Sequence, residues 1–469
     1  MNSFPPSTES ASTIVALSTP QGAGAIGVIR LSGELSINIA NQMFAGKDLS
    51  CQASHTLHFG KIMDEKNEVI DEVVISLFKN PHSYTGEDVI EISCHGSAYI
   101  IQKIIERCQQ LGAKSAKPGE FTQRAFLNGK LDLSQAESVA DIIAAENKMQ
   151  LEIAFQQMRG GYSAIIEGLR NELIEFAALI ELELDFSEED VEFADRGKFH
   201  NLIEKIKTTV EGLIQSFELG NVLKNGIPVA IIGEPNVGKS TLLNVLLNEE
   251  KALVSDIAGT TRDFIEDTLV VEGIQFRFID TAGLRETNDE LEAKGIERSM
   301  QKLKSAKIVL YLADIQKDFK EIVQDFSALE IASSQEVIIV LTKLDTIVNC
   351  DAYDIEEAIA TLTSRKTMVI SATTQKNIEL LKTSLLDIVQ REKMNGNGII
   401  VTNTRHVQAL RDTQQHIHQI EQGLTQQISG DFLSIDIRLA LQSLGEITGA
   451  VEVDRDILGT IFGKFCIGK

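Results

Sequence analysis

The sequence predicts a multidomain fold combining α/β and all-α parts: a mixed α+β N-terminal domain, a helical domain in two segments, and an α/β block inserted between those segments. Three observations predict it. The 469 residues exceed what one hydrophobic core organises. From Ile227 to about Val389, short β-type runs alternate with helical ones, the pattern of a sheet with helical crossovers. On both sides of that stretch apolar residues recur at helical spacing, and neither flank has another obvious partner. The flanks are therefore expected to pack together, with the α/β block as an insertion, which is tolerated where the ends of a domain lie close.

The elements follow in order. Residues 1–130 form the N-terminal domain, with strands expected over 13–17, 26–31, 68–78 and 88–94 and a helix over 98–111 that Gly112 stops. Residues 131–224 are the first part of the helical domain: Ala136, Val139, Ala140 and Ile143 share one face, an amphipathic run continues to Leu184, and another helix covers 200–222. Residues 225–391 are the α/β block. Residues 392–469 return to helix, with Val407, Leu410, Ile417, Ile420, Leu424 and Ile428 on one face.

Bulk composition narrows the function classes. The apolar fraction is 43%, the charged fraction 24% and no Trp is present, so the cores are aliphatic. A formal net charge of −24 repels phosphate backbones and anionic lipid, which argues against tight non-specific nucleic-acid binding. Much of that acid lies between Glu167 and Asp195, including Glu188, Glu189 and Asp190, and reads as a solvated helix face and loop. The five cysteines (Cys51, Cys94, Cys108, Cys350, Cys466) are scattered and form no Cys-x-x-Cys pair, which disfavours a disulfide framework and a zinc site. No signal peptide and no run near the roughly 18 apolar residues of a membrane span is seen, so a cytoplasmic protein is expected.

Two look-alikes are set aside. Gly22-Ala-Gly-Ala-Ile-Gly27 has the spacing of a dinucleotide motif, but Val28-Ile-Arg-Leu31 continues it as a strand where a helix N-terminus is needed. Cys466 is fourth from the end, yet the tail ends in Lys469, which no prenylation signal accepts.

The α/β block carries its chemistry in plain sight. The apolar run Val229-Ala-Ile-Ile232 leads into Gly233-Glu-Pro-Asn-Val-Gly-Lys-Ser240 and then a helix from Thr241, a complete phosphate-loop motif in its strand–loop–helix context. Successive backbone N–H groups from Asn236, Val237 and Gly238 onward curl around a phosphate, aided by the helix N-terminus. Lys239 reaches the β- and γ-phosphates and Ser240 ligates Mg²⁺. Downstream, Thr260 or Thr261 in Gly259-Thr-Thr-Arg-Asp263 closes over the metal and γ-phosphate. A hairpin of strands about 265–271 and 274–279 turns at Glu272-Gly273 and leads into Asp280, Thr281, Ala282 and Gly283, where Asp280 holds Mg²⁺ through water and Gly283 senses the γ-phosphate. Strands at 308–312 and 337–341 follow; the second runs into Thr342, Lys343, Leu344 and Asp345, and Asp345 pairs with the N1–H and 2-amino donors that guanine has and adenine lacks. Ser371 and Ala372 offer a backbone N–H to the guanine oxygen. Each motif alone is short, but five in order define a Ras-like P-loop GTPase domain. Thr342 stands where the guanine motif usually begins with Asn, so GTP specificity with reduced affinity is expected.

The hydrolysis site departs from the Ras-like pattern. A glutamine that orients the attacking water normally follows the Asp-x-x-Gly motif; here Leu284 stands there. Arg285, Glu286, Asp289, Glu290 and Glu292 are candidates to replace it, and the residues alone do not choose among them. Asn236 could give a side-chain oxygen to a monovalent cation lying where an arginine finger places its charge.

The ensemble resembles the MnmE (TrmE) family of bacterial tRNA-modification GTPases over essentially the whole chain. The resemblance rests on Gly27-Val-Ile-Arg-Leu-Ser-Gly33, Thr85-Gly-Glu-Asp-Val-Ile-Glu91, His95-Gly96, the long block Pro118 to Asp132, Gly259 to Asp263, Asp280 to Arg285 and the terminal Phe-Cys-Ile-Gly-Lys469. It implies an N-terminal domain that binds a tetrahydrofolate derivative (5,10-methylene- or 5-formyl-tetrahydrofolate) and dimerises, a helical domain and an inserted G domain. It further implies a homodimer that joins an FAD-dependent partner protein as a heterotetramer. With that partner, which alone carries FAD, the family places a carboxymethylaminomethyl or aminomethyl group on C5 of the wobble uridine of tRNA. Its G domains close on each other with GTP and K⁺, and closure drives hydrolysis.

By position, the resemblance puts folate contacts on Arg30, Glu91, Lys130 and Lys469. It puts K⁺ ligands on Asn236, Ser255, Ile257 and Thr260, and Mg²⁺ ligands on Ser240 and Thr261, with Asp256 and Ala258 completing the nucleotide-binding segment. The water-positioning acid falls on Glu292, and Cys466 becomes a candidate for covalent or redox work on the base. Ser255 replaces the family's more common Thr, and Ser97 replaces the second glycine of its His-Gly-Gly. Two competing readings remain, a regulatory or ribosome-assembly GTPase and a dynamin-like scaffold; no basic RNA-binding module, membrane stripe or heptad run supports either, and folate binding separates them from the first.

Overall fold

The computed structural model describes residues 12–185, 196–248, 267–279, 306–333, 335–347, 349–394, 400–426, 428, 430–450 and 468. The chain divides into two compact units, one of residues 1–144, 154–207 and 408–469, the other of residues 145–153 and 208–407.

In the first unit, seven strands among the described residues form one sheet: β1 (Ile14–Leu17), β2 (Ile26–Ser32), β3 (Phe44–Ala45), β4 (Thr56–Met63), β5 (Val69–Phe78), β6 (Val89–His95) and β7 (Lys114–Ser115), in the order β3-β4-β5-β6-β2-β1-β7. The pairs are antiparallel except β1 with β7. Side chains alternate between faces along a strand, so β5 buries Asp71, Val73, Ile75 and Leu77 and turns Glu72 and Val74 outward. Helices Ser36–Met43 and Ala98–Gln110 cover the apolar face: Ile39, Met43, Ile104 and Cys108 pack with Ile29, Leu31, Ile75, Ile90 and Ile92. Gly112, at φ +108, ends the second of these helices as expected of a left-handed stop. The strand β2 that follows Gly22–Gly27 removes the dinucleotide reading, because no helix starts there.

β4 is not among the strands expected from the sequence, for a physical reason. Its inward positions are His58, Gly60 and Ile62, whereas Leu57 and Phe59 point outward, each 70% exposed. The usual apolar-in, polar-out alternation is thus inverted over Leu57–Gly60 and returns only at Lys61 and Ile62. Gly60 is required: a Cβ there would lie 2.4 Å from Phe44 Cε2.

The helices of this unit include Leu133–Ala144, Ser163–Asp185 and Gly430–Thr448, together with the early part of Arg196–Asn225 and most of Thr404–Thr425. Ser163–Asp185 packs along Gly430–Thr448, where Arg438 pairs with Glu181. Lys207 meets Glu421 at 3.1 Å between Arg196–Asn225 and Thr404–Thr425. The helical stretches expected to meet do meet, although more than 200 residues separate them.

In the second unit six strands among the described residues, β8 (Ile227–Gly233), β9 (Asp267–Val271), β10 (Ile274–Phe278), β11 (Ile308–Asp314), β12 (Glu336–Thr342) and β13 (Lys366–Val369), take the order β13-β12-β11-β8-β10-β9. Only β9 runs antiparallel, joined to β10 by a two-residue turn in which Glu272 and Gly273 both have positive φ (+50° and +81°), the twist that suits a hairpin. The central strands read as continuous apolar runs because both faces are covered. Leu310 and Val340 face Leu242 and Leu246 of helix Lys239–Asn248 and Leu381 and Leu385 of Ile378–Met394. On the other side Val309, Ile339 and Leu341 face Ile322 and Phe326 of Phe319–Ser327 and Ile359 of Asn349–Thr363.

Candidate functional site

β8 lies between β11 and β10, where the strand order reverses, the position at which open α/β sheets bind their ligands beyond the C-terminal strand ends. The phosphate loop occupies that end. Gly233 is held tightly, since a Cβ there would lie 2.3 Å from the Leu312 carbonyl oxygen. Asn236 (φ +62) and Gly238 (φ +98) turn the chain left-handed, and the space where a Gly238 side chain would stand is open. Only a residue without Cβ gives both that conformation and a close approach to phosphate. The helix begins at Lys239, two residues before the expected start, and its first internal bond runs from Leu242 N–H to Gly238 O at 2.9 Å. A helix N-terminus aimed into such a loop favours an anion.

Lys239 Nζ donates to the carbonyls of Gly233 (2.8 Å) and Glu234 (2.7 Å). An ammonium has three protons, so one stays available for a phosphate oxygen while the other two fix the side chain across the loop. Burial lowers the Lys239 pKa from its ordinary value, while the Glu234 charge acts in the opposite direction.

Beside the loop, three strand ends come together. Thr342, 3% exposed at the end of β12, places Oγ1 2.7 Å from the Val237 carbonyl and 3.2 Å from that of Ala313. The residue that departs from the usual Asn thus still ties the guanine motif to the phosphate loop, with one donor proton where an amide would offer two. Lys343, at φ +65, reaches back to Asp314 at 2.7 Å. Leu344 is buried, and its N–H bonds to Ile370 O, which brings the motif against the segment after β13. There Ser371 Oγ donates to Asp345 Oδ1 at 2.6 Å and accepts from Thr374 N–H at 3.1 Å. The sequence reading used Ser371 and Ala372 for backbone contact alone; the hydroxyl that orients the Asp345 carboxylate was missed. Asp314 was missed too, because neither residue belongs to a contiguous motif with its partner.

Asn236, Val237, Gly238, Lys239, Ser240, Thr241, Thr342, Lys343, Leu344, Asp345, Ser371 and Ala372 therefore lie on one edge of one sheet. Ser255, Asp256, Ile257, Ala258, Gly259, Thr260, Thr261, Asp280, Thr281, Ala282, Gly283 and Glu292 lie outside the described residues, as do Cys466 and Lys469. The described loop fits a polyphosphate and its Mg²⁺ by chemistry: a left-handed glycine turn, a helix N-terminus, a held lysine and the Ser240 hydroxyl side by side.

In the first unit Arg30 on β2 stands directly opposite Glu91 on β6, with Nε and Nη2 2.9 and 2.8 Å from Glu91 Oε1. The guanidinium lies 5.4 Å from the Tyr84 ring centre and 5.6 Å from that of Phe121. The Gly468 carbonyl accepts from Ser18 Oγ at 3.0 Å and lies 3.5 Å from Arg30 Nη1, so Gly468 stands beside this pair. Gly468 is forced: at φ +99, a Cβ would sit 2.0 Å from the Leu17 carbonyl oxygen. Lys130 runs past Gly86, whose missing side chain leaves room for Lys130 Cε. A neighbouring network not foreseen from the sequence holds the adjoining loop: buried Arg124 pairs with Glu87 (3.1 Å) and Glu120 (2.9 Å), and Ser32 Oγ bonds Thr85 and Glu87, each at 2.7 Å. A buried guanidinium is tolerated only when so paired.

Known proteins match this chain along nearly its whole length. A family model described as "GTP-binding protein TrmE N-terminus" matches residues 13–130, and one described as "MnmE helical domain" matches residues 133–466. A Cytophaga hutchinsonii protein called "tRNA modification GTPase MnmE" is 51% identical over 460 residues, 97% of this chain and 98% of that protein. Proteins of the same name from Flavobacterium johnsoniae (52% over 465 residues) and Bacteroides thetaiotaomicron (49% over 464 residues) each cover 97% of this chain and 99% of their own length. With relatives this similar across both units, and with family models matching its N-terminal and helical parts, the chain belongs to the MnmE family.

Proposed function

We propose that this chain is a GTP-hydrolysing tRNA modification enzyme that, with an FAD-dependent partner, adds a carboxymethylaminomethyl or aminomethyl group at C5 of the wobble uridine. Family membership and the relatives' names support the GTPase and the tRNA modification. The observation that carries the finer reading is the presence, in one chain, of a guanine-type phosphate-loop site and of the half-buried Arg30–Glu91 pair beside which Gly468 lies. The domain scheme of the sequence reading goes with it: a folate-binding, dimerising domain (1–130), a helical domain (131–224 and 392–469) and an inserted G domain (225–391).

In this reading Lys239 and the loop N–H groups bind the β- and γ-phosphates, and Ser240 and Thr261 hold Mg²⁺, which neutralises charge between them. Asp345, oriented by Ser371, selects guanine. Asn236, Ser255, Ile257 and Thr260 hold K⁺ in the closed G-domain dimer, Glu292 orients the water, and Asp280 and Gly283 register the γ-phosphate. The folate derivative supplies the one-carbon unit. Glu91 accepts hydrogen bonds from its aminopyrimidine edge, while Arg30, Lys130 and Lys469 answer its carboxylates. Gly468, the neighbour of Lys469 in sequence, lies beside Arg30, which supports this reading. The enzyme acts on tRNA in the cytoplasm as a homodimer within a heterotetramer; no helix among the described residues is long and apolar enough to cross a membrane.

Folate binding tests this reading against a purely regulatory GTPase. Titration calorimetry with 5-formyl-tetrahydrofolate is expected to show saturable binding that Glu91→Gln weakens without changing GTP affinity. Absence of binding to the intact chain favours the regulatory reading.

A further inference from the structure

The phosphate loop carries one carboxylate of its own, Glu234. It follows Gly233, and its backbone carbonyl is one of the two that hold Lys239. A carboxylate there opposes the function of the loop, because it cancels the positive charge of Lys239 and repels incoming phosphate. Its field is felt at Lys239, whose pKa it pulls upward against the effect of burial. The structure shows what counters it. Lys317, in the turn after β11, places Nζ 2.6 Å from Glu234 Oε1 and 2.6 Å from Asp325 Oδ2 on helix Phe319–Ser327. The turn is fixed by Lys317 N–H to Asp314 O at 3.0 Å, and Asp314 in turn holds Lys343 of the guanine motif.

We propose that Lys317 is a positioning residue for GTP binding: by bridging Glu234 and Asp325 it neutralises the loop's own carboxylate and fixes the peptide whose carbonyl aims Lys239 at the phosphates. Fold stability is a weak alternative explanation. The Glu234 and Asp325 side chains are 58% and 45% exposed, and ion pairs of that kind contribute little to stability. The same charges at the mouth of an anion site act on the ligand directly. The two carboxylates hold the Lys317 ammonium well above the ordinary lysine range, Asp325 first and Glu234 second, so it stays charged.

The test is a charge-neutralising double-mutant cycle on the full-length chain, read by equilibrium binding of a fluorescent non-hydrolysable GTP analogue. Lys317→Gln is expected to weaken binding about tenfold at low salt, with the loss shrinking as salt screens it. Lys317→Arg keeps the wild-type affinity. Adding Glu234→Gln to Lys317→Gln removes the uncompensated carboxylate and returns affinity to within about twofold of wild type. A double variant as weak as Lys317→Gln, or a Lys317→Gln chain that binds normally, overturns the proposal. Should Lys317→Gln fail to fold, Glu234→Gln alone decides: it is expected to bind at least as tightly as wild type, and weaker binding overturns the idea.

Discussion

The two sheets of this molecule place their polar groups in different ways. The central strands of the six-stranded sheet are covered on both faces, and Lys239, Thr342, Asp345 and Ser371 gather at or beyond strand ends. The seven-stranded sheet covers one face and sets Arg30 against Glu91 within its strands. A site at a strand-to-helix junction is contiguous in sequence, because one turn supplies most of it. A site built across strands draws on residues far apart, here positions 30, 91 and 468. The first kind declares itself as a motif; the second does not.

If the two sites are separate constructions, damage to one should spare the other. Asp345→Asn is expected to have the largest effect, lowering GTP affinity by about a hundredfold or more and shifting preference toward XTP, since a charged partner of two guanine donors is lost. Competition binding with GTP and XTP measures it, and folate binding should not change. Glu292→Ala should leave GTP binding intact and lower turnover on the order of a hundredfold, as removal of a water-orienting group does; phosphate release under saturating GTP and K⁺ reads the difference.

Arg30→Ala should weaken folate binding by about tenfold, the size of one charge-assisted contact, with GTPase turnover unchanged. Any large fall in turnover would show the sites to be coupled within the free chain. Thr342→Val should weaken GTP and GDP alike by roughly five- to tenfold, because the Val237 carbonyl loses its buried donor while the guanine contacts stay. An effect on GTP alone would place Thr342 at the γ-phosphate instead. Gly60→Ala is expected to cost about 1–3 kcal/mol of stability through overpacking against Phe44 and to leave both affinities unchanged, as thermal melting and titration would show.

The same contrast explains what could be read from the amino acids. Strands β8 to β12 and the hairpin turn at Glu272–Gly273 were legible because parallel strands are continuous apolar runs and turn chemistry is local. The strand β4 was not legible, since Leu57 and Phe59 face outward while His58 and Gly60 face in. Arg30 and Glu91 came only from the family resemblance; cross-strand pairing depends on register, which spacing does not show. The contacts of Lys317 with Glu234 and of Lys343 with Asp314 escaped for the same reason, being joined by neighbouring strand ends rather than by sequence.

In the proposed function, a GTP site and a one-carbon site in one chain serve one modification of tRNA. Nucleoside mass spectrometry tests it most directly, on tRNA from a bacterium lacking its own wobble-uridine modification GTPase, with this chain and its own FAD-dependent partner supplied. The account predicts that the carboxymethylaminomethyl or aminomethyl uridine returns, and that Asp345→Asn and Glu91→Gln each abolish or sharply reduce it. Unmodified uridine from cells in which the chain is soluble, hydrolyses GTP and has its partner would contradict it.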